Sequence, residues 1–169
     1  IRHYLIDALS MSCTGHFIVL SGQTGCAKTQ LLQELQHAVD LEKLANHRGS
    51  AFGKRVGGQP SQIDFENRLS IAMLKQRHLH TNLPIILEDE SHLIGKILIP
   101  DNVMHAMQKA PLVMIETPLE ERVEHTYQNY ILHKLIEWQD VYGEQQGFTL
   151  FAEELLTSLS NLKRRLGGW

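Results

Sequence analysis

The sequence predicts an α/β fold three layers deep, with a mainly parallel sheet flanked by helices and further helices at the C-terminal end. Two observations carry that expectation. Short apolar runs of strand length alternate with segments of helical period, the order that feeds a parallel sheet through right-handed crossovers. The residues with the most chemistry in their side chains follow those runs directly, at the carboxyl ends of strands, where open α/β sheets bind ligands.

The elements follow in order. His16–Leu20 is a compact apolar run that reads as a strand buried on both faces, and it ends in Ser21-Gly22. Lys28 to His37 reads as a helix with Leu31, Leu32 and Leu35 on one side, and Ala38–Leu41 as a brief strand. The stretch from Asn46 to Gln59 is rich in glycine and cations and is expected to be a long loop, a feature that tends to be functional in compact domains. A helix is expected from about Ser61 to Gln76, with Phe65, Leu69, Ala72 and Met73 on its apolar stripe. Pro84–Leu87 is the next buried strand and runs into Glu88-Asp89-Glu90. Pro100–Lys109 reads as a short helix capped by Asp101, turning Val103, Met104 and Met107 inward. Leu112–Ile115 is another strand. Thr117-Pro118-Leu119-Glu120 has the form of a capping box, with Thr as N-cap, Pro at N1 and Glu at N3. The helix it opens is expected to run to about Tyr142 and stop at Gly143, and a last helix to occupy about Leu150–Leu166.

Bulk properties narrow the function classes. The 169 residues can bury one core without staples, so 16–169 reads as one domain and 1–15 as a linker or the end of a preceding segment. No apolar run approaches the roughly 20 residues that cross a bilayer, and the opening residues are not expected to form a signal peptide. Two cysteines, Cys13 and Cys26, are too few for a disulfide scaffold and suit a reducing cytoplasm. A net charge of −3 argues against a uniformly basic nucleic-acid surface, so any RNA contact must come from local patches. The histidines, His78-x-His80 among them, fit no common metal-ligand spacing.

Gly22-Gln-Thr-Gly-Cys-Ala-Lys28-Thr29 matches the phosphate-binding P-loop pattern, with Ala27 where the pattern has its second glycine. Gly22, Thr24 and Gly25 shape the cradle, whose successive N–H groups and following helix N-terminus attract an anion. Lys28 adds a point charge for the terminal phosphate, and the Thr29 hydroxyl can face Mg²⁺, with Asp89 as its acidic partner. Cys26 sits inside the cradle, where a small residue suffices. Glu88 and Glu90 flank Asp89 at the end of a strand, and Asp40 and Glu42 close another; each is a candidate to accept a proton or orient a cation. His47 and Arg48 lie on the long loop with Lys54 and Arg55, where Arg48 can clamp phosphate or RNA backbone. Arg122 begins the helix beyond the fourth strand, and Lys163-Arg164-Arg165 is a basic run that either complements a helix C-terminus or meets RNA.

Taken together, these segments resemble a known family. Asp40–Gly53, Gln59-Pro-Ser-Gln62 with Phe65-Glu-Asn67, Glu88-Asp-Glu-Ser91 with Ile94-Gly95, and Lys163-Arg-Arg-Leu-Gly167 are similar to the hallmark segments of bacterial tRNA 2-selenouridine synthases. The likeness runs from about Phe17 to Leu166 and implies a P-loop NTPase-like fold. It further implies that wobble 2-thiouridine in tRNA becomes 2-selenouridine through an S-geranyl intermediate, with geranyl diphosphate and selenophosphate as co-substrates. On that resemblance Gly22, Thr24, Gly25, Lys28 and Thr29 hold the diphosphate. Asp40, Glu42, His47, Arg48, Glu88 and Glu90 line the reaction site. Arg48, Lys54, Arg55 and Lys163–Arg165 meet tRNA. Family members also carry an upstream rhodanese-like domain that nothing here matches, so the chain is expected to be one part of a longer enzyme. The alternative reading is a small-molecule kinase using ATP and Mg²⁺, which explains the P-loop, the acids after the third strand and Arg122 but leaves Asp40–Gly53 without a role.

Overall fold

The computed structural model of the protein describes residues 1–167. Its central sheet has four strands, β1 (Phe17–Gly22), β2 (Ala38–Val39), β3 (Ile85–Glu88) and β6 (Leu112–Ile115), in the order β2-β3-β1-β6. All three pairings are parallel: Phe17 lies opposite Ile85, Val39 opposite Leu87, and Gly22 opposite Ile115. The parallel α/β sheet expected from the alternating pattern is therefore present, with the first strand inside and the P-loop at its carboxyl end.

Alternation along the strands divides the core. Phe17 and Val19 of β1 and Ile85 and Leu87 of β3 point to one face, where they meet Phe65, Leu69 and Met73 of α4 (Gln62–Leu79) and Val103 and Met107 of α5 (Asp101–Lys109). Each such side chain stabilises the fold by roughly 1.5–3 kcal/mol through burial. Leu20 and Ile86 point to the other face and meet Leu32 of α2 (Lys28–Glu34) in a much smaller cluster. At the sheet edge β6 leaves Leu112, Val113 and Met114 about half exposed.

The segment before β1, read as a linker or the end of a preceding segment, contains α1 (Arg2–Ser12), docked on α4 by Arg2–Glu66 at 2.5 Å and by Ser70 Oγ donating to the Leu5 carbonyl at 2.7 Å. Several local expectations are corrected. Helix α2 ends at Glu34 rather than His37, and β2 stops at Val39. Leu41 belongs instead to a short helix, α3 (Leu41–Leu44), because the Asp40 carboxylate accepts from the Lys43 amide at 2.7 Å and caps it. Asp101 caps nothing: Pro100 is the N-cap, and the Asp101 carboxylate faces His92 at 3.1 Å. The capping box at Thr117 does not form, since Pro118 has ψ 149° and helical geometry starts only at Leu119. A ribbon of β4 (Leu93–Ile94) and β5 (Ile97–Leu98) also stands where no strands were expected, delivering Ile94 and Ile97 to the core.

The C-terminal helices form an arm. Helix α6 (Leu119–Tyr127) continues through a π-helical turn, Gln128–Leu132, into α7 (His133–Tyr142), and ends at Gly143 as the sequence indicated. Helix α8 (Glu144–Arg165) turns straight back along α7, starting earlier than expected. Gly147 lies 2.6 Å, measured from a notional Cβ, from the Gln139 Cα, so only glycine permits this approach. Deeper in the arm, Lys134 Nζ donates to Glu154 at 2.6 Å and to the Phe52 carbonyl at 2.8 Å, and both partners of the pair are buried. Ser158 supplies a further hydrogen bond to Glu154. No helix among the described residues is long and apolar enough to cross a membrane.

Removing one member of a buried pair strands the other charge. Lys134→Ala is expected to destabilise the fold by about 3–5 kcal/mol in urea unfolding, whereas Lys134→Met combined with Glu154→Leu should cost far less.

Candidate phosphate-binding site

The P-loop joins the end of β1 to the start of α2 and forms one wall of a cavity of about 540 Å³. Gly25 has φ 85°, and a side chain there would run into the Arg122 carbonyl of α6. Ala27 is the N-cap of α2 and holds φ 63°, a left-handed conformation that glycine adopts freely and alanine does not. That geometry is the physical reason the pattern favours glycine there. Lys28 Nζ reaches the Gly22 carbonyl at 3.3 Å, folding its charge over the loop. Arg122 Nε donates to the Thr24 carbonyl at 3.1 Å, fastening α6 to the P-loop. Cys26 is buried, with its sulfur beside Gly22.

Opposite the P-loop, the cavity is lined by Asp40, Glu42, His47, Arg48, Gly49 and Glu90. Gly49 has φ 62°, and a Cβ there would collide with the Glu42 carboxylate, so the loop passes the acids only as bare backbone. Glu88 is fully buried beneath the wall and accepts from the Glu42 amide at 2.6 Å. Carboxylate oxygens of Glu42, Glu88 and Glu90 all lie within 4.8 Å of one another. Burial, then Glu90 and Asp40 nearby, pushes the Glu42 carboxyl up to about 8, with Lys28 pulling the other way. Burial and the Glu42 charge push Glu88 well above the usual carboxylate range, and burial raises Glu90 as well. The cluster therefore holds protons at neutral pH. Burial lowers the His47 pKa, aided by the Lys134 charge, so its imidazole is neutral. Three buried atoms at this cluster lack a protein partner: Asp40 Oδ2, His47 Nδ1 and Glu88 Oε2.

The structure gathers most of the residues singled out from the sequence. Gly22, Thr24, Gly25, Lys28 and Thr29 line the cavity together with Asp40, Glu42, His47, Arg48, Arg55 and Glu90. Asp89 does not: its carboxylate accepts from Ser21 Oγ at 2.6 Å, beside the strand end. Arg48 and Arg55 both grip Glu137 of α7, at 2.7 and 2.8 Å, and Arg48 also donates to the Asn129 carbonyl. Lys54 is exposed and lines neither this cavity nor its neighbour. Lys163, Arg164 and Arg165 are exposed in the last turn of α8, with Lys163 one turn beyond Leu159 on the same helix face.

A second cavity, about 580 Å³ and almost wholly apolar, shares Thr24, Ser50 and Tyr130 with the first. Its other walls are Ala51 and Phe52 of the long loop, Thr126, Tyr127 and Ile131 of the α6–π-helical stretch, and Leu155 and Leu159 of α8. Ala51 and Phe52 lie in the Asp40–Gly53 segment singled out from the sequence, whereas Thr126, Tyr127, Ile131, Leu155 and Leu159 did not stand out there. Lys134 and Glu154 are an indirect signal, as charged residues set among apolar neighbours of helical period.

This strand–P-loop–helix unit, with acids at the neighbouring strand ends, defines a P-loop phosphate-binding domain of the NTPase type. Comparison with known proteins narrows the class. The chain belongs to the tRNA 2-selenouridine synthase family: the profile described as tRNA 2-selenouridine synthase AAA domain matches residues 15–169. It is 54% identical over 168 residues to the tRNA 2-selenouridine synthase of Hahella chejuensis (strain KCTC 2396), covering 99% of this chain and 44% of that protein. The synthases of Pseudomonas syringae pv. syringae (strain B728a) and Marinobacter nauticus (strain ATCC 700491 / DSM 11845 / VT8) are 48% and 46% identical, each covering 99% of this chain and 46% of the relative. The chain thus spans a little under half the length of the curated relatives it matches. No solved structure matches it.

Two outcomes follow from this geometry. Ala27→Gly removes the left-handed strain and should stabilise the protein by about 1 kcal/mol, read as a higher Tm. Because the Glu42 pKa is raised on folding, its contribution is fully present below the unfolded value near 4.5 and is lost as pH rises to about 8. Glu42→Gln should flatten that decline in unfolding free energy between pH 4.5 and 8, measured by denaturation at a series of pH values.

Proposed function

We propose that this domain works in tRNA wobble-uridine modification, holding geranyl diphosphate for conversion of 2-thiouridine to 2-selenouridine through an S-geranyl intermediate. The observation that carries this reading is the continuity of a phosphate cradle with an apolar cleft across Thr24, Ser50 and Tyr130. A ligand with a diphosphate head and a hydrocarbon tail fits both halves. In the transfer step the C–O bond between tail and diphosphate breaks, a C–S bond to the thiocarbonyl sulfur forms, diphosphate leaves, and the ring N3 proton is lost to a neighbouring acceptor such as His47 Nδ1. Lys28 and the P-loop N–H groups stabilise the charge that builds on it.

Around that core the other roles find support. Arg48 stands at the wall in Glu137's grip, and Lys54 and Arg55 extend a basic strip along the same loop toward tRNA. Glu42, Glu88 and Glu90 form a shared proton store beside the head group, and neutral His47 offers Nδ1 as an acceptor. A divalent cation such as Mg²⁺, displacing protons from Glu42 and Glu90, fits Thr29 with those two acids better than it fits Asp89, which Ser21 already occupies; it would offset the diphosphate charge. Selenophosphate serves as the selenium donor in this reading, and an upstream rhodanese-like domain agrees with relatives about twice this length. Free Cys13 and Cys26 agree with a cytoplasmic setting.

Calorimetric titration tests the reading. Geranyl diphosphate should bind at least about tenfold more tightly than inorganic diphosphate. Lys28→Ala should weaken both by about tenfold or more without moving the Tm. Preferential binding of ATP over geranyl diphosphate would restore the kinase alternative. Incubation with 2-thiouridine tRNA and geranyl diphosphate, followed by nucleoside mass spectrometry, should show the S-geranyl product.

A further inference from the structure

The apolar cleft runs from the P-loop toward the buried Lys134–Glu154 pair, and a small set of side chains lines the end beside that pair. Close to the P-loop, the cleft begins at Thr24 and Thr126; a Cβ on Gly25 would come within 2.7 Å of Thr126 Oγ1. From there it follows the helical stretch past Tyr127 and Tyr130 to Ile131. One turn further on, Lys134 is locked to Glu154 and to the Phe52 carbonyl, bringing α7, α8 and the long loop together. Helices α7 and α8 are joined by Gly143 alone and so run antiparallel. Leu155, the neighbour of Glu154, therefore stands at the end beside the pair, while Leu159, one turn later and about half exposed, stands toward the P-loop end, the mouth through which the tail enters. Phe52, Ile131 and Leu155 form the floor.

We infer that this floor measures the apolar tail of the bound diphosphate, so that Ile131 and Leu155 set the chain length the site accepts. The inference rests on the proposed prenyl-diphosphate reading and adds the residues that decide among prenyl donors. A head group anchored at Lys28 and Thr29 cannot slide outward to make room for a longer tail. The Lys134–Glu154 pair beneath the floor cannot give way either, because separating it would expose two buried charges to an apolar neighbourhood. Extra length at the tail must then displace Leu155 or Ile131, or leave the cleft. Both residues are only partly buried, and neither touches the phosphate cavity, so they can be shortened without disturbing the cradle.

Titration of the 169-residue chain with inorganic, dimethylallyl, geranyl and farnesyl diphosphate decides the matter. The unsubstituted chain should favour geranyl over both the shorter and the longer donor. Leu155→Ala and Ile131→Ala should each raise farnesyl affinity relative to geranyl by about tenfold or more, the scale on which an apolar pocket separates tails of different size. Inorganic diphosphate affinity should stay unchanged in both, which also verifies an intact cradle. Leu159→Ala, at the mouth, should weaken both tails alike and leave their ratio alone. If geranyl diphosphate binds no better than inorganic diphosphate to the unsubstituted chain, the cleft takes no tail and the prenyl reading itself falls. If geranyl diphosphate binds tightly but the farnesyl-to-geranyl ratio does not move in Leu155→Ala or Ile131→Ala, the prenyl reading stands and the gauge is overturned.

Discussion

A single buried ammonium, Lys134 Nζ, ties α7 to the long loop that lines both cavities and to α8, which lines the second. It reaches Glu154 on α8 and the Phe52 carbonyl on the long loop from its own position on α7. Apolar burial in the arm is sparse, since α6 contributes no buried residue and only Lys134 and Trp138 of α7 are buried. The arm is held by polar contacts rather than by a continuous apolar core: Arg122 to the P-loop, Arg48 and Arg55 to Glu137, and Tyr130 to the Arg48 carbonyl at 3.1 Å. Low-dielectric surroundings make such contacts strong when satisfied and costly when broken, so the cleft between the arm and the long loop has a defined shape.

The same principle governs the cavity's charge. Three glutamates, Glu42, Glu88 and Glu90, beside a phosphate-binding loop would repel an anion if all were ionised. Burial and mutual crowding favour their protonated forms, and Lys28 and Arg48 offset what charge is left. Gly49 is part of that arrangement, because only a residue without a side chain passes the Glu42 carboxylate closely enough to bring Arg48 to the wall.

Much of the sheet was legible because its signal is local. The runs Phe17–Leu20, Ile85–Leu87 and Leu112–Ile115 announce themselves by continuous apolar character, and the P-loop by its spacing. Boundaries failed where one side chain decided them. Asp40 ends a strand by capping α3, and Pro118 delays a helix that Thr117 and Glu120 were expected to start. The β4–β5 ribbon is only two residues per strand, too short for any alternation to register.

By itself the sequence determined the strand order of events along the chain, the P-loop, and which acids and cations stand at strand ends, because those depend on residue type and near spacing. Tertiary structure alone decided that Asp89 is pinned by Ser21, that Arg48 and Arg55 share Glu137, and that Phe52, Ile131 and Leu155 meet in one apolar floor. Those residues lie up to about a hundred positions apart in the chain, as Phe52 and Leu155 show. Their meeting depends on how an α-helical arm folds back against the long loop, a relation set by packing and by one buried ion pair rather than by any local periodicity.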